Sequence, residues 1–490
     1  MDRVHRVAGS IVKERQDIMV GMLAVLSLGS VTVAKPAVKT PEFFGSLRVR
    51  SESWGWFNPA GGGYNNSYTF SHNQLRFGGR LPTAHRLSGI RPFETVAEVA
   101  SPLLLGLPGN AVAPAPGGTL GMGGQYRLTN GTQQGSMFFK TAYIHMPQQG
   151  MHPDIVLGRY EFADGLEALP SDADLAYIQT QRIASRMISP DPFTAVGRSM
   201  DGFKVSRTIN KHSQTLAGFY PTTGAFNMDG GDTISKVRQL YFADASSTAT
   251  SSNRFFVGHY VDARGITPVD NAATLNSGSI EITTLGGHAL SGKTYGKSRV
   301  DTFLWGGTQT GNWGAQVHQA FAAAAEIGFK SPETKGWWLR GGAGYFSGDA
   351  NPNDAKHQSW APQTYAPRLL FRTPVVTESN LQDFYAMAVK RNKRETIRLE
   401  AHAYRVDKPA DRWYLGGPVF QSGGAFGLNG KPTAGMRDIG SAVDISYDVT
   451  LNQRDTLNIY AGYVHGGAVA ATSYSGRSAF LGFVQLVRKF

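Results

Sequence analysis

The sequence predicts an all-β chain closed into a transmembrane antiparallel β-barrel, and three observations predict it. Charged residues make up only 17%, with 59 glycines in 490 residues and 11% aromatics, against about 25% charged and about 7% glycine in ordinary soluble domains. From Phe44 onward, segments of about ten residues alternate in character and end at Gly, Pro, Asn, Asp or Ser breaks; that is the length of a strand that crosses a bilayer. Mean hydropathy is −0.24, and beyond the N-terminus no run approaches the roughly 18 to 20 apolar residues of a spanning helix. A helical transporter is excluded. Hydrophobic residues at 41% argue against wholesale disorder. The lack of cysteine removes disulfides, thiolate zinc sites, iron–sulfur clusters and cysteine nucleophiles.

The first element is a targeting segment. Arg3, Arg6, Lys13 and Arg15 precede an apolar stretch from Ile18 to Ala34, which ends in Thr32-Val33-Ala34 before Lys35-Pro36. This predicts a secretory signal over 1–34, cut near Ala34, and a mature barrel over 35–490. An uncleaved N-terminal anchor is the alternative, and the long basic region allows translation to begin at Met19 or Met22.

The strands follow in order. They are expected to begin near Gly45, His72, Phe93, Ser136, Asp154, Thr194, His212, Ser235, Asn253, Ser279, Arg299, Ala315, Gly336, Asn380, Glu395, Asp438, Asp455 and Ser478. That is about eighteen, an even number as bacterial single-chain barrels require. In 397–404, Ile397, Leu399, Ala401 and Ala403 fall on one face, and Arg398, Glu400, His402 and Tyr404 on the other. Successive strand side chains point to opposite faces, so each segment is a ribbon with one oily and one polar side. A soluble sandwich would alternate too. It would not continue unbroken so far past the roughly 200 to 250 residues of a single all-β domain, and the export signal sends this chain out of the cytoplasm.

The alanine run Phe321–Ala325 is read as strand. The Pro/Gly/Asp-rich intervals 103–135, 163–193, 347–379 and 406–437 are read as long extracellular loops or plugs, with a short helix allowed at 182–188. Trp54, Trp56, Phe57, Trp305, Trp337, Trp338, Trp413 and Tyr414 lie at segment ends and are expected to form interfacial girdles. The last segment, Phe480 to Phe490, resembles the assembly signal of bacterial outer-membrane proteins, with Phe490 as its aromatic end. Arg488 departs from that pattern, and a long basic side chain near the interface snorkels to headgroups.

Five stretches resemble the alginate-export family of outer-membrane porins. They are Leu157-Gly158-Arg159 with the acidic run from Glu161 to Gly165, Val196–Gly202 around Arg198, Ser347–Asp354 with His357 behind it, Asp411–Gly417, and Arg437–Gly440 opening a strand. Their order and spacing hold over roughly 155–490, while the N-terminal third matches in general character alone. The resemblance implies a barrel of about eighteen strands in the bacterial outer membrane, passing an anionic polysaccharide or oligosaccharide.

By parity, Arg48, Arg50, Arg76, Arg80, Arg159, Arg198, Arg340, Arg398 and Lys489 are expected to face inward, with Glu52, Glu98, Glu161, Asp201 and Glu400 beside them. Guanidinium groups stay charged and grip carboxylates in a bidentate fork. A set of them along a lumen would select anions. The competing reading is a plug in which arginines and acids neutralise one another between strands.

Of the remaining classes, calcium binding at Asp349–Asp354 lacks the glycine and terminal glutamate of an EF-hand loop. A barrel-embedded hydrolase has no His-x-x-x-His pair on a predicted helix and no Gly-x-Ser-x-Gly to support it. Nucleic-acid binding is disfavoured because the bases of this +12 chain are dispersed along an exported barrel. The expectation is therefore no enzyme, cofactor or metal. Expected partners are outer-membrane lipid, the outer-membrane assembly machinery and an anionic saccharide, with a generic or small-anion-specific diffusion porin as the alternative.

Overall fold

The computed structural model describes residues 40–59, 63–83, 91–112, 121–265, 270, 278–366, 372–417, 419–420 and 427–490. The expected signal over 1–34 lies outside them. Among the described residues, eighteen strands build the wall, each antiparallel to its neighbours. They are β1 (Glu42–Gly55), β2 (Ser67–Pro82), β3 (Glu94–Leu105), β4 (Phe138–Met146), β5 (Asp154–Tyr160) and β6 (Met200–Ile209). Next come β7 (His212–Pro221), β8 (Val237–Ser247), β9 (Ser251–Asp262), β10 (Ile280–Tyr295), β11 (Ser298–Trp313) and β12 (Gln316–Lys330). The last six are β13 (Trp338–Phe346), β14 (Leu381–Arg391), β15 (Glu395–Val406), β16 (Asp438–Thr450), β17 (Asp455–Gly466) and β18 (Ser478–Lys489).

The wall closes where β1 pairs with β18, from Ser46 opposite Lys489 to Gly55 opposite Phe480. Beyond that register Gly45 and Phe490 exchange two backbone hydrogen bonds, of 2.9 and 3.1 Å. Closure gives every strand a partner on both sides, the condition for backbone in hydrocarbon.

The outer face is the apolar one. Phe77, Leu240, Leu304, Ile327, Phe384, Val443 and Val484 all project outward and are exposed. In β12 the alternation runs almost unbroken, with Ala320, Ala322 and Ala324 buried inside and Phe321 outside. The alanine run is thus strand, its helix propensity overridden by pairing with Gly306 and Gly307 on one side and Tyr345 and Phe346 on the other. Short turns at 210–211 and 296–297 mark the periplasmic end, and the long loops mark the extracellular end, the usual asymmetry of such barrels.

Two expectations fail. Strand β6 starts at Met200 rather than Thr194, because residues 194–199 fold into the lumen, where the Ala195 N–H donates to Tyr126 Oη at 2.6 Å. The tryptophan girdle is not on the outside either. Trp54, Trp56, Phe57, Trp305, Trp338, Trp413 and Tyr414 are all buried within the barrel. The indoles of Trp54, Trp338 and Trp413 donate inside it, to Glu52, Asp301 and the Val375 carbonyl, each at 2.8 Å. A buried indole N–H seeks an acceptor, and for these three the lumen supplies one. The outer aromatics are mainly phenylalanines, including Phe43, Phe139, Phe255 and Phe480, which bring no polar atom into lipid.

Candidate functional site: the lumen and its inserted loops

Most of the arginines expected to face inward do so, and most meet a carboxylate. Arg76 bridges Glu98 at 2.6 Å and Glu161 at 2.7 Å, and Lys140 adds a second cation to Glu161 at 3.3 Å. Arg80 lies between Glu94 at 3.6 Å and Glu42 at 4.0 Å. Arg340 pairs with Asp301 at 2.6 Å and with Glu326, and Arg398 with Glu400 at 3.3 Å. The inner face therefore carries acids beyond the expected set, notably Glu94, Asp301, Glu326 and Asp383, and the surplus of bases along it is smaller than the sequence suggests.

Two inward arginines differ. Among the described residues, neither Arg48 nor Arg198 has a carboxylate within ion-pair distance. Arg48 donates to the Pro192 carbonyl at 2.6 Å and to that of Thr194. Arg198 lies 4.5 Å above the Phe420 ring, its Nε and Nη1 without hydrogen-bond partners. Burial pulls the Arg198 guanidinium down to about 10, which leaves it charged at any physiological pH.

Arg159 is a correction. On β5 the buried side chains are Asp154, Val156 and Tyr160, whereas Leu157 is exposed. Tyr160, expected to face lipid, points inward, and Arg159 lies on the outer side. Arg159 binds Asp201 through two bonds of 2.7 and 2.8 Å and reaches Thr233 of the 222–236 loop at 3.3 Å. Alternation from Val156 to Tyr160 is unbroken and by itself puts Arg159 outside; Gly158 between them has a φ of +123°, which suits glycine, and its Cβ would meet the Ala142 carbonyl at 2.5 Å. Arg159 and Asp201 are a wall-to-loop fastening near the extracellular rim.

The lumen is shaped by two loops that turn inward. The first, residues 161–199, carries α1 (Ala173–Ile178), extended by a π-helical turn over Gln179–Ile183. This helix lies N-terminal to the expected 182–188. The loop runs from the extracellular rim to the opposite end, where Asp172 N bonds the Ala249 carbonyl of the periplasmic β8–β9 turn at 3.0 Å. Charge holds it. Asp164 pairs with Arg254 at 2.9 Å, both side chains fully buried. Burial raises the Asp164 carboxyl above its ordinary value, opposed by Arg254 and by the Met187 and Ile188 N–H groups. Arg182 reaches Glu326 at 3.1 Å and Glu400 at 3.6 Å.

The second loop, 347–380, is held mainly by neutral groups. Trp360 packs edge-on against Trp305 with ring centroids 5.9 Å apart. Gln363 meets Gln239 at 2.7 Å and Thr284 at 3.1 Å. His357 lies parallel to Trp313 at 4.1 Å and shares a 2.8 Å Nδ1–Nδ1 hydrogen bond with His318; burial holds His357 well below the ordinary histidine value, neutral. The acidic run here is turn chemistry: the Asp349 and Asp354 carboxylates accept from the Asn351 and Lys356 N–H groups at 3.1 and 2.7 Å. Glu400, His402 and Asp444 bring ligand atoms within 4.8 Å of one another, but Arg398 and Arg182 already share Glu400.

The sequence reading missed Asp172, Asp174, Arg254 and Glu326. Parity within β9 and β12 places the last two inside and was a usable signal. No periodic signal places a loop aspartate at the far end of a barrel.

The alginate export family model matches residues 235–480, which covers β8 through the first residues of β18. No curated protein sequence matches the chain. Among solved structures, the outer membrane protein OpdK from Pseudomonas aeruginosa is similar at a TM-score of 0.54 and 8% identity, over 92% of this chain and 99% of that one. OccK2 (OpdF) of the same organism, solved in complex with glucuronate, scores 0.53 at 9% identity over 94% and 99%. OpdQ, also from P. aeruginosa, scores 0.50 at 10% over 91% and 98%. At these identities the likeness concerns the barrel alone, and the family match carries the kinship: this chain belongs to the alginate export family and is an outer-membrane β-barrel porin of bacterial type.

Proposed function

We propose that this porin passes an acidic saccharide, with uronate carboxylates handled by arginines of the inner wall. The observation that carries the reading is the pair Arg48 on the wall and Arg198 on the inserted loop: two buried guanidinium groups that, among the described residues, have no carboxylate within ion-pair distance. A low-dielectric lumen strengthens the pull of such a charge on a passing anion. Arg76, Arg80, Arg340 and Arg398 keep buried nitrogens without hydrogen-bond partners while ion-paired. Glu161 and Glu400 then act as spacers, keeping the grip on a polymer weak enough for it to move on. Family membership supports the same substrate class, and glucuronate, the acid in the OccK2 complex, belongs to it.

A small-anion porin is the second reading, favoured by the two loops that occupy the lumen. Family and fold together point to a transporter rather than an enzyme. Phe490, bonded to Gly45 at the seam, is assigned the role of assembly signal, and exchange with the outer-membrane assembly machinery is the partner reaction it implies.

Planar-bilayer recordings decide between these readings. The reversal potential under a salt gradient is expected to report anion preference, and a hexameric oligouronate to block the current where maltohexaose does not. Arg48→Ala with Arg198→Ala should lower both anion preference and block. An unchanged reversal potential and unchanged block would remove the arginine path. Chloride preference without oligouronate block would favour the small-anion porin.

A further inference from the structure

The tip of loop 161–199 lies among cations that its position does not require. Arg299, the second residue of β11, grips Asp172 through two bonds of 2.9 Å. Lys330, the last residue of β12, holds Asp174 at 3.0 Å. Arg391, the last residue of β14, holds Asp174 at 2.9 Å and also donates to the Ala173 carbonyl at 2.9 Å. Three strands thus bring three cations to one arc of the periplasmic mouth, and both carboxylates seated there come from a loop rooted at the opposite end.

This cluster is wet, unlike the pairs deeper in the barrel. The Asp172 and Asp174 side chains keep 29% and 20% exposure and Lys330 keeps 30%, against 0% for both members of Arg254–Asp164. Partly exposed pairs exchange partners at little cost, whereas a buried pair cannot lose one member cheaply. Burial raises the Asp174 carboxyl, but its hydrogen bond to Lys330 and the charges of Lys330 and Arg391 outweigh burial and hold it below its ordinary value. Asp174 is therefore ionised, as a uronate carboxylate would be. The fork geometry of Arg299 on Asp172 is the one a guanidinium offers any carboxylate.

We propose that Arg299, Lys330 and Arg391 form a docking site for the carboxylates of an acidic saccharide at the periplasmic mouth, and that Asp172 and Asp174 fill it as an internal competitor. The inference rests on the acidic-saccharide reading above and deepens it. Saccharide carboxylates take over the three cations, and the loop tip, which loses its main polar anchors there, leaves the mouth. A chain with several carboxylates competes better than a single one, because the first contact raises the local concentration of the rest. A neutral sugar has nothing to exchange.

The full-length protein in detergent or liposomes tests this, with a hexameric oligouronate as probe and maltohexaose as control. The chain contains no cysteine, so Ala176→Cys places a single thiol on a buried position of the loop tip. Adding the oligouronate should raise labelling of that thiol by a membrane-impermeant maleimide at least tenfold, and maltohexaose should leave it unchanged. Asp172→Asn with Asp174→Asn should tighten oligouronate binding about tenfold by removing the competitor. Arg299→Gln with Lys330→Gln and Arg391→Gln should abolish the labelling response. Lys330→Gln alone, which keeps both arginine contacts, should weaken it without disturbing the barrel.

Oligouronate that blocks the wild-type current while the thiol stays protected would overturn the docking site and leave the porin reading in place. So would equal affinity in the wild type and the double asparagine variant. If no variant binds oligouronate or is blocked by it, both readings fall together.

Discussion

The two inserted loops occupy one lumen by different chemistry. Loop 161–199 is fastened by charge, through Asp164, Asp172, Asp174 and Arg182, each paired with the wall. Loop 347–380 is fastened mostly by shape and neutral hydrogen bonds, through Trp360, Gln363 and the His357–Trp313 stack. Ion pairs answer to salt and to competing ions where water reaches them, whereas packed aromatics do not. One loop is thus a part that salt can address, and the other is held as the wall is.

The largest effects should come from one substitution in each loop's seat. Glu326→Ala removes the carboxylate shared by Arg182 and Arg340, leaving Arg340 only Asp301 and Arg182 only the longer contact to Glu400, and breaking such a buried pair costs about 3–5 kcal/mol. Trp360→Ala empties a fully buried indole site at a cost of about 3–5 kcal/mol. Both are read from the temperature at which the folded barrel loses its compact gel mobility. A loss well under 1 kcal/mol in either would mean that the loop concerned is not seated as described.

The next experiment sharpens the contrast. Raising salt from 0.1 to 1 M shortens the screening length from about 10 Å to about 3 Å. Protease access near Asp172 should then rise, and access near Trp360 should not change; equal responses would erase the distinction. At the tip itself, Arg299→Gln should cost only about 0.2–1 kcal/mol of global stability, even though it opens the mouth.

The smallest expected effect is a pH dependence of loop 347–380 near neutrality. Burial pushes the Asp349 carboxyl up to about 7, helped by the charges of Asp411, Asp354 and Asp270 and opposed by the Asn351 N–H. A raised acid holds its proton more tightly in the seated loop. Seating is therefore strongest below the ordinary aspartate value of 3.8 and weakens as pH rises through about 7. Limited proteolysis at pH 5 and pH 8 should show this, and Asp349→Asn should flatten it. A pH response that survives Asp349→Asn assigns the effect to another group.

The wall was legible because its rule is local. A period of two, read from Arg398 and Glu400 against Ile397 and Leu399, settles which side of β15 is wet without knowledge of any other strand. On β5 the rule itself held but its phase was set wrongly: Asp154, Val156 and Tyr160 share the inner side, which puts Arg159 outside. The tryptophans were misplaced too, since position at a strand end says nothing about which side the indole N–H finds its acceptor. The lumen contents were hidden for a different reason. Asp172 and Arg299 are far apart in sequence and meet because a loop turns back through a cylinder, a fact that no periodicity encodes.

The seam between β1 and β18 has a consequence for how the molecule is made. Loop-closure entropy weighs most on contacts between distant parts of a chain, and the Gly45–Phe490 bonds join nearly its two ends. They are the natural last step. Arg50 stands at that seam: its guanidinium bonds Gln485 of β18 at 2.6 Å and the Phe193 carbonyl of loop 161–199 at 3.0 Å. The final zipping of the wall and the seating of its innermost loop therefore meet at one side chain. One side chain thus ties the strand that closes the wall to the loop that fills it, so a change at Arg50 is felt at the seam and in the lumen together.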